Sequence, residues 1–279
     1  MPELPEVETY RRDLEPHLLG STLARVQVRN TPNAPRILRR HGPVGFAEQL
    51  ERARVVAVGR VGKFLTLSLD LPVALVLHLG MSGRLMLAEP DDAYPPHTHV
   101  VLDLDGDRQL RFVDPRSFGE MFVSLLDGGV PKDLAHLGVD PLAGWPAPGA
   151  FARMLHARTG RIKDLLMNQE FIAGLGNIYT DEALHAAGVR YDRPANELSS
   201  DERVRLHSAV PQILERAIRM RGTSMQDESY RDLGGLLGGF QDALAVYGRE
   251  DGPCKSCGEP IVRGRWGNRS TFYCPRCQV

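Results

Sequence analysis

The chain has 279 residues, 42% hydrophobic and 25% charged, with a formal net charge of -1. That length predicts about two domains with a sizeable buried core, and the composition is that of an ordinary soluble globular protein. A charge balance this close to zero excludes nucleic-acid binding through overall charge, so any basic surface must be local.

In chain order, the opening MPELPEVETYRR is acidic and proline-bearing, which excludes a basic-then-apolar signal peptide. Residues Glu6 to Leu19 predict a helix, with Glu6 and Glu8 at its positive end and Gly20 to stop it. From Thr22 to about Leu126 the texture changes to short β-rich runs: RVQV, RVVAV, FLTLSL, ALVLHL, RLML, HVVLDL, QLRFV and EMFVSL. Asp105-Gly106 between two of them is a hairpin signal. Runs at this spacing predict a β-sandwich or flattened barrel. None of the apolar runs is long enough to span a bilayer, so a cytoplasmic protein without a membrane partner is expected.

The Gly-, Pro- and Ala-rich stretch 138–150 reads as a linker. Helical texture follows at Phe151–Arg158, Ile162–Asn168, Tyr179–Ala187 and Ser200–Met220. Residues 222–240 are loop-like and end in GGLLGGF. The expected division is therefore 1–137, a linker at 138–150, 151–240 and 241–279, an α+β multidomain chain. Two stretches are locally basic. Residues 36–63 carry seven cations against two acids, and 252–279 carry five against one. Either stretch alone reads as a solvated face.

All four cysteines fall in the last 26 residues, as Cys254-x2-Cys257 and Cys274-x2-Cys277 with 16 residues between the pairs. In a reducing compartment such knuckles bind metal rather than form disulfides, and two thiolate pairs close a tetrahedron around Zn²⁺. With four sulfurs the ion has no open position, so one structural zinc is expected, standing in for a core that so short a segment lacks. No catalytic metal or organic cofactor is expected. Arg263, Arg265 and Arg269 lie between the knuckles, on what reads as a β-hairpin. Cations so placed suit phosphates, though a zinc ribbon serves protein partners as well.

The segment Pro2-Glu3-Leu4-Pro5-Glu6 reads first as a simple helix entry. Chemically it offers more. Removal of Met1 exposes a secondary amine, and with an α-amino pKa near ~8 a useful fraction is neutral and nucleophilic at physiological pH. Taken together and in order, PELPEVET at 2–9, GKFL at 62–65, HLGMSGRL at 78–85, DPRSFG at 114–119, AGLGNIYTDEAL at 173–184, VYGRE at 246–250 and RSTFYCPRC at 269–277 closely resemble the formamidopyrimidine-DNA glycosylase family. Its members are bifunctional enzymes for 8-oxoguanine and ring-opened purines.

The resemblance implies an N-terminal helix with a β-sandwich, a helix–two-turns–helix domain with a lesion-capping loop, and a C-terminal zinc finger. It implies Pro2 as the nucleophile that becomes a Schiff base with DNA, and Glu3 as general acid/base. Glu6 would lie near the lesion pocket or organise the helix. Lys63 is implied in proton transfer during β-elimination, and Arg269 in phosphate binding and δ-elimination. Met81, Arg116 and Phe118 would fill the space left by the flipped base; their types suit it, as a flexible thioether, a guanidinium able to pair with cytosine, and an apolar wedge. His97, Arg158, Lys163 and Asn177 match DNA-contacting positions, Lys163 nearer the lesion. Glu182 is expected to be structural. The implied partner is damaged double-stranded DNA, bound by a monomer.

Two departures bear on base discrimination: Ser117 stands where a basic residue is expected, and the GGLLGGF end of 222–240 is unusual. Three readings compete with oxidised-purine repair, namely a relative directed at oxidised pyrimidines, a zinc-ribbon DNA-binding protein without catalysis, and zinc knuckles that mediate protein assembly.

Overall fold

The computed structural model describes residues 2–225 and 228–279. The expected loss of Met1, and Gln226 and Asp227 of the RGTSMQD stretch, lie outside the described residues. The chain forms two compact units, one of residues 1–136 with 220–239, the other of residues 137–219 with 240–279.

The first unit opens with helix α1, Leu4–Leu18. Its start lies earlier than the sequence suggests, because Glu3 and Glu6 form a reciprocal capping box and Pro5 tolerates an early helical position. Val7, Tyr10, Leu14 and Leu18 recur at helical spacing and enter the core. Past the helix, Gly20 turns the chain with φ +84°.

Strand β1 (Leu23–Val28) follows, then the short helices α2 (Ala34–Ile37) and α3 (Gly42–Glu48). Strands β2 (Val55–Val61), β3 (Phe64–Leu69), β4 (Val73–His78), β5 (Arg84–Ala88), β6 (Thr98–Leu104), β7 (Arg108–Val113), β8 (Glu120–Asp127) and β9 (Val130–Pro131) complete the unit. The two antiparallel sheets run β1-β6-β7-β5 and β2-β3-β4-β8-β9. All eight expected runs are strands, and Asp105–Asp107 turn β6 into β7 with Leu104 opposite Arg108. Alternation does the sorting: Leu65, Leu67 and Leu69 of one sheet share a core with Val100, Leu102 and Leu104 of the other. Each such side chain contributes about 1.5–3 kcal/mol by burial.

In the second unit, α4 (Pro148–His156), α5 (Ile162–Met167), α6 (Asn177–Ala187) and α7 (Ser200–Arg219) are joined by a β-hairpin of β10 (Val262–Trp266) and β11 (Arg269–Tyr273). Ser199 and Glu202 cap α7 reciprocally, at 2.7 and 3.3 Å. The stretch read as a linker is already part of this unit. Val139 pairs with Ile172, Gly138 packs its backbone on Phe171 where no Cβ fits, and α4 takes up its last residues. Residues 220–239, expected to follow the helices, are grouped with the first unit. No helix among the described residues is long and apolar enough to cross a membrane.

Candidate active site and metal centre

In the first unit, Pro2 is buried and Glu3 is 2% exposed. The carboxylate of Glu6, itself buried, joins this terminus to the 222–240 loop: one oxygen accepts the Glu3 N–H at 2.8 Å, the other the Thr223 N–H at 2.8 Å. A Cβ on Gly222 would lie 2.8 Å from that second oxygen, and its φ of +80° also favours glycine. Lys63 sits in the tight turn between β2 and β3, 7% exposed. Of the basic stretch around it, Arg39 and Arg40 each pair with Glu120 at 2.8 Å, and Arg60 pairs with Glu8 at 3.2 Å, so the surface is less cationic than its composition.

Two turns meet backbone to backbone at the end of β4. A Cβ on Gly80 would lie 2.5 Å from the Gly119 nitrogen and 2.6 Å from the Phe118 oxygen, so only glycine permits this approach. The first turn carries half-buried Met81; the second carries exposed Arg116 and Phe118. The Phe118 ring is flanked by Arg116 at 5.4 Å and by Arg36 of α2 at 5.0 Å. Asp114, wholly buried, fastens the pair. Its carboxylate accepts from the Ser82 hydroxyl at 2.6 Å, the Gly119 N–H at 2.7 Å and the Arg116 N–H at 3.2 Å. Its N–H donates to the His97 carbonyl at 3.0 Å, and His97 is exposed with φ +64°. Ser117 does not face outward: it is 1% exposed at φ +54°, its hydroxyl against the Asp114 carbonyl.

Removing the Asp114 carboxylate would orphan two donors in one buried place, the Ser82 hydroxyl and the Gly119 N–H, each worth about 1–3 kcal/mol, and leave the Arg116 N–H with the Ser82 oxygen at 3.2 Å. Asp114→Ala is therefore expected to lower the unfolding free energy by at least about 2 kcal/mol, read by urea denaturation. A loss under about 1 kcal/mol would remove Asp114 from this role.

His78, at the end of β4, accepts the Gly80 N–H on Nδ1 at 3.2 Å and packs on Phe64. Burial, and then the Lys63 ammonium, depress its imidazole to about 4. It is thus neutral in the folded protein, while an unfolded histidine protonates near ~6.5. The folded state binds fewer protons between these values, so stability falls as pH drops from about 6.5 to about 4, by up to about 3 kcal/mol. His78→Asn, which keeps an acceptor for Gly80, is expected to flatten that part of the melting-temperature curve against pH.

In the second unit, Asn177 opens α6 and donates to the Ser270 carbonyl at 2.8 Å. Its side-chain oxygen is buried and has no hydrogen-bond partner among the described residues. Arg158 and Arg269 are exposed, Arg269 reaching the sulfur of Met167 at 3.8 Å. Lys163, expected among the DNA contacts, is 0% exposed and pairs with Asp181 at 2.6 Å; a cation held there offers nothing to solvent. Burial lifts Asp181 to about 6, against the pull of Lys163 and of the N–H and O–H donors around it. Glu182 accepts the N–H groups of Ala245, Val246 and Tyr247 at 2.8–2.9 Å, the structural part expected of it.

The four cysteine sulfurs lie within 4.8 Å of one another. Cys254 and Cys277 are 3.9 Å apart, Cys257 and Cys274 3.5 Å. Four thiolates at the usual Zn–S bond length of ~2.3 Å make a tetrahedron with edges of about 3.8 Å, so the donor set fits a metal ion of that size. The Ser256 and Cys277 N–H groups each point at a sulfur, at 3.4 Å, as knuckle backbones do to a thiolate.

The sequence does not single out Asp114, His78, Asp181 or Arg36. Asp114 and Asp181 do stand inside DPRSFG and NIYTDEAL, but nothing local marks an acid as the anchor of distant donors.

Residues 1–121 match the family model described as the formamidopyrimidine-DNA glycosylase N-terminal domain, and residues 137–229 that of its H2TH domain. The chain is 41% identical, over all of its length and 99% of the relative's, to a formamidopyrimidine-DNA glycosylase of Pelotomaculum thermopropionicum. It is 43% identical to one from Salinispora arenicola, covering all of this chain and 96% of that protein. The crystal structure of the MutM (Fpg) protein of Thermus thermophilus superposes with a TM-score of 0.86 at 41% identity, over 99% of this chain and 98% of that one. Lactococcus lactis Fpg, in complex with DNA containing an abasic site, gives 0.87 at 31% identity, over 99% of each chain. Sandwich, helical unit and cysteine hairpin together define a DNA glycosylase of base excision repair. The chain belongs to the formamidopyrimidine-DNA glycosylase family.

Proposed function

We propose that this protein excises oxidised purines, 8-oxoguanine and formamidopyrimidines, from double-stranded DNA and then cuts the strand. The observation that carries the reading is the amino terminus. Pro2 and Glu3 are held beside a carboxylate, Glu6, that also anchors the loop at Thr223.

Once Met1 is removed, the Pro2 nitrogen lone pair bonds to the deoxyribose C1′. The glycosidic electrons leave with the base, which takes up a proton, and ring opening yields an iminium. Glu3, adjacent in sequence, holds and returns protons. The iminium acidifies the C2′ hydrogen; loss of that proton, assisted by Lys63, expels the 3′ phosphate. A second elimination, with Arg269 on the phosphate, expels the 5′ phosphate and leaves a gap with phosphate at both ends.

Flipping the base costs a few kcal/mol of stacking and pairing. Met81, Arg116 and Phe118, carried on two interlocked turns, occupy the vacated space. His97, Arg158 and Asn177 bind the backbone, and Lys163 serves it from within through Asp181. Cys254, Cys257, Cys274 and Cys277 hold one zinc that supplies structure and takes no part in the chemistry. The enzyme acts as a monomer, with no other cofactor, in the cytoplasm.

Borohydride trapping tests the chemistry: a covalent adduct is expected on an 8-oxoguanine:C duplex and a much weaker one on thymine glycol:A. The reverse preference would place the enzyme with oxidised pyrimidines, and no adduct with any lesion would leave a binding protein.

A further inference from the structure

Helix α6 holds strand β11 at three successive residues. Asn177 and Asp181 are four apart and so share one face of the helix. Asn177 bonds the Ser270 carbonyl at 2.8 Å, while Asp181 accepts the Thr271 hydroxyl at 3.0 Å and the Phe272 N–H at 2.9 Å. The residue just before this clamp is Arg269. In a strand, residues two apart face the same side, so fixing the Thr271 side chain also sets the side on which Arg269 emerges. Arg269 itself is exposed, and its guanidinium reaches the weakly accepting Met167 sulfur at 3.8 Å. A long, solvent-facing cation of this kind has its direction set by its backbone.

The clamp is charged where an apolar contact would suffice for packing. Asp181 is 1% exposed and Lys163 is 0% exposed, and a buried ion pair often adds no stability over apolar residues of the same volume. What it adds is geometry. A carboxylate takes several donors at fixed angles, and Lys163 keeps it ionised while it does so.

We propose that Asp181, kept charged by Lys163, is a positioning residue that orients Arg269 toward the DNA phosphate. The proposal rests on the reading of Arg269 given above and adds the part that aims it. If it holds, loss of the carboxylate acts like partial loss of Arg269, without loss of the metal.

The test compares wild-type protein with Arg269→Ala, Asp181→Asn and the double variant Lys163→Met/Asp181→Leu, in which apolar residues of similar volume preserve packing. Zinc content and melting temperature are measured first; affinity for abasic-site duplex is then measured from about 50 to about 200 mM salt. One phosphate contact contributes about 0.9 to the slope of log affinity against log salt. The double variant is expected to keep one zinc per chain, lose about that slope increment, and leave a larger share of β- over β,δ-elimination product, as Arg269→Ala does. Asp181→Asn, which keeps an acceptor oxygen, is expected to fall between.

A double variant with the wild-type slope and product ratio, beside an altered Arg269→Ala, overturns the proposal alone. An Arg269→Ala protein with the wild-type slope overturns the phosphate role of Arg269 and the proposal together. A double variant that no longer holds zinc would make the ion pair a fold element and also overturn it.

Discussion

Pro2→Gly is expected to lose nearly all borohydride-trapped adduct on 8-oxoguanine DNA, with excision reduced by at least about 10³-fold, the scale on which removal of a covalent nucleophile acts. Glycine still offers a terminal amine, so a residue of trapping survives; the loss comes from geometry and basicity. Proline's ring fixes φ and presents a secondary amine, which goes directly to an iminium. The backbone around it is well determined, with the Glu3 N–H on Glu6 and the Val7 N–H on the Glu3 carbonyl. A freer first residue should lose that alignment. Intact mass measured on the same sample settles whether Met1 is gone. An enzyme that retained Met1 and still trapped at wild-type yield would end the Pro2 mechanism, whatever its other activities.

Stripping the proposed metal should also have a large effect, on DNA affinity and by another route. The β10–β11 hairpin is backed by a small cluster, Val246, Ile261 and Phe272 with Cys254 and Cys274. Metal binding in isolated zinc fingers is worth about 10–16 kcal/mol, far more than that cluster supplies. Chelation, or Cys274→Ser, is therefore expected to unfold the hairpin and release Arg269 with it, lowering affinity for abasic-site duplex by at least about 10²-fold at about 150 mM salt. The β-sandwich, with its separate core, should persist, so most of the far-ultraviolet circular dichroism survives. Full DNA affinity in metal-free protein would show that the hairpin folds on side chains alone.

Several elements could be read from the chain directly, and for a shared reason. The eight strand runs, the four helices of the second unit and the cysteine hairpin each depend on local spacing: alternation for Leu65, Leu67 and Leu69, helical texture for Ser200–Arg219, and paired cysteines for the candidate metal site. The motif PELPEVET draws attention to the terminus, and the family resemblance names its role. The capping box Glu3–Glu6 also lies in the sequence, although charge and proline placement alone set the helix start at Glu6, later than the observed Leu4.

What the chain did not disclose depends on partners distant in sequence. The linker reading of 138–150 rests on composition, yet Val139 finds Ile172 and gains a sheet-like pairing that composition cannot register. Lys163 reads as a surface cation until Asp181 is seen 2.6 Å away on another helix. Asp114 is one acid among many until Ser82, Arg116 and Gly119 converge on it. Local propensity and spacing thus determined the elements and the paired cysteines, and the resemblance of the motifs pointed to the family; tertiary contact alone decided which charges are buried and paired, because the cost of burying a charge is met only by donors that folding brings together.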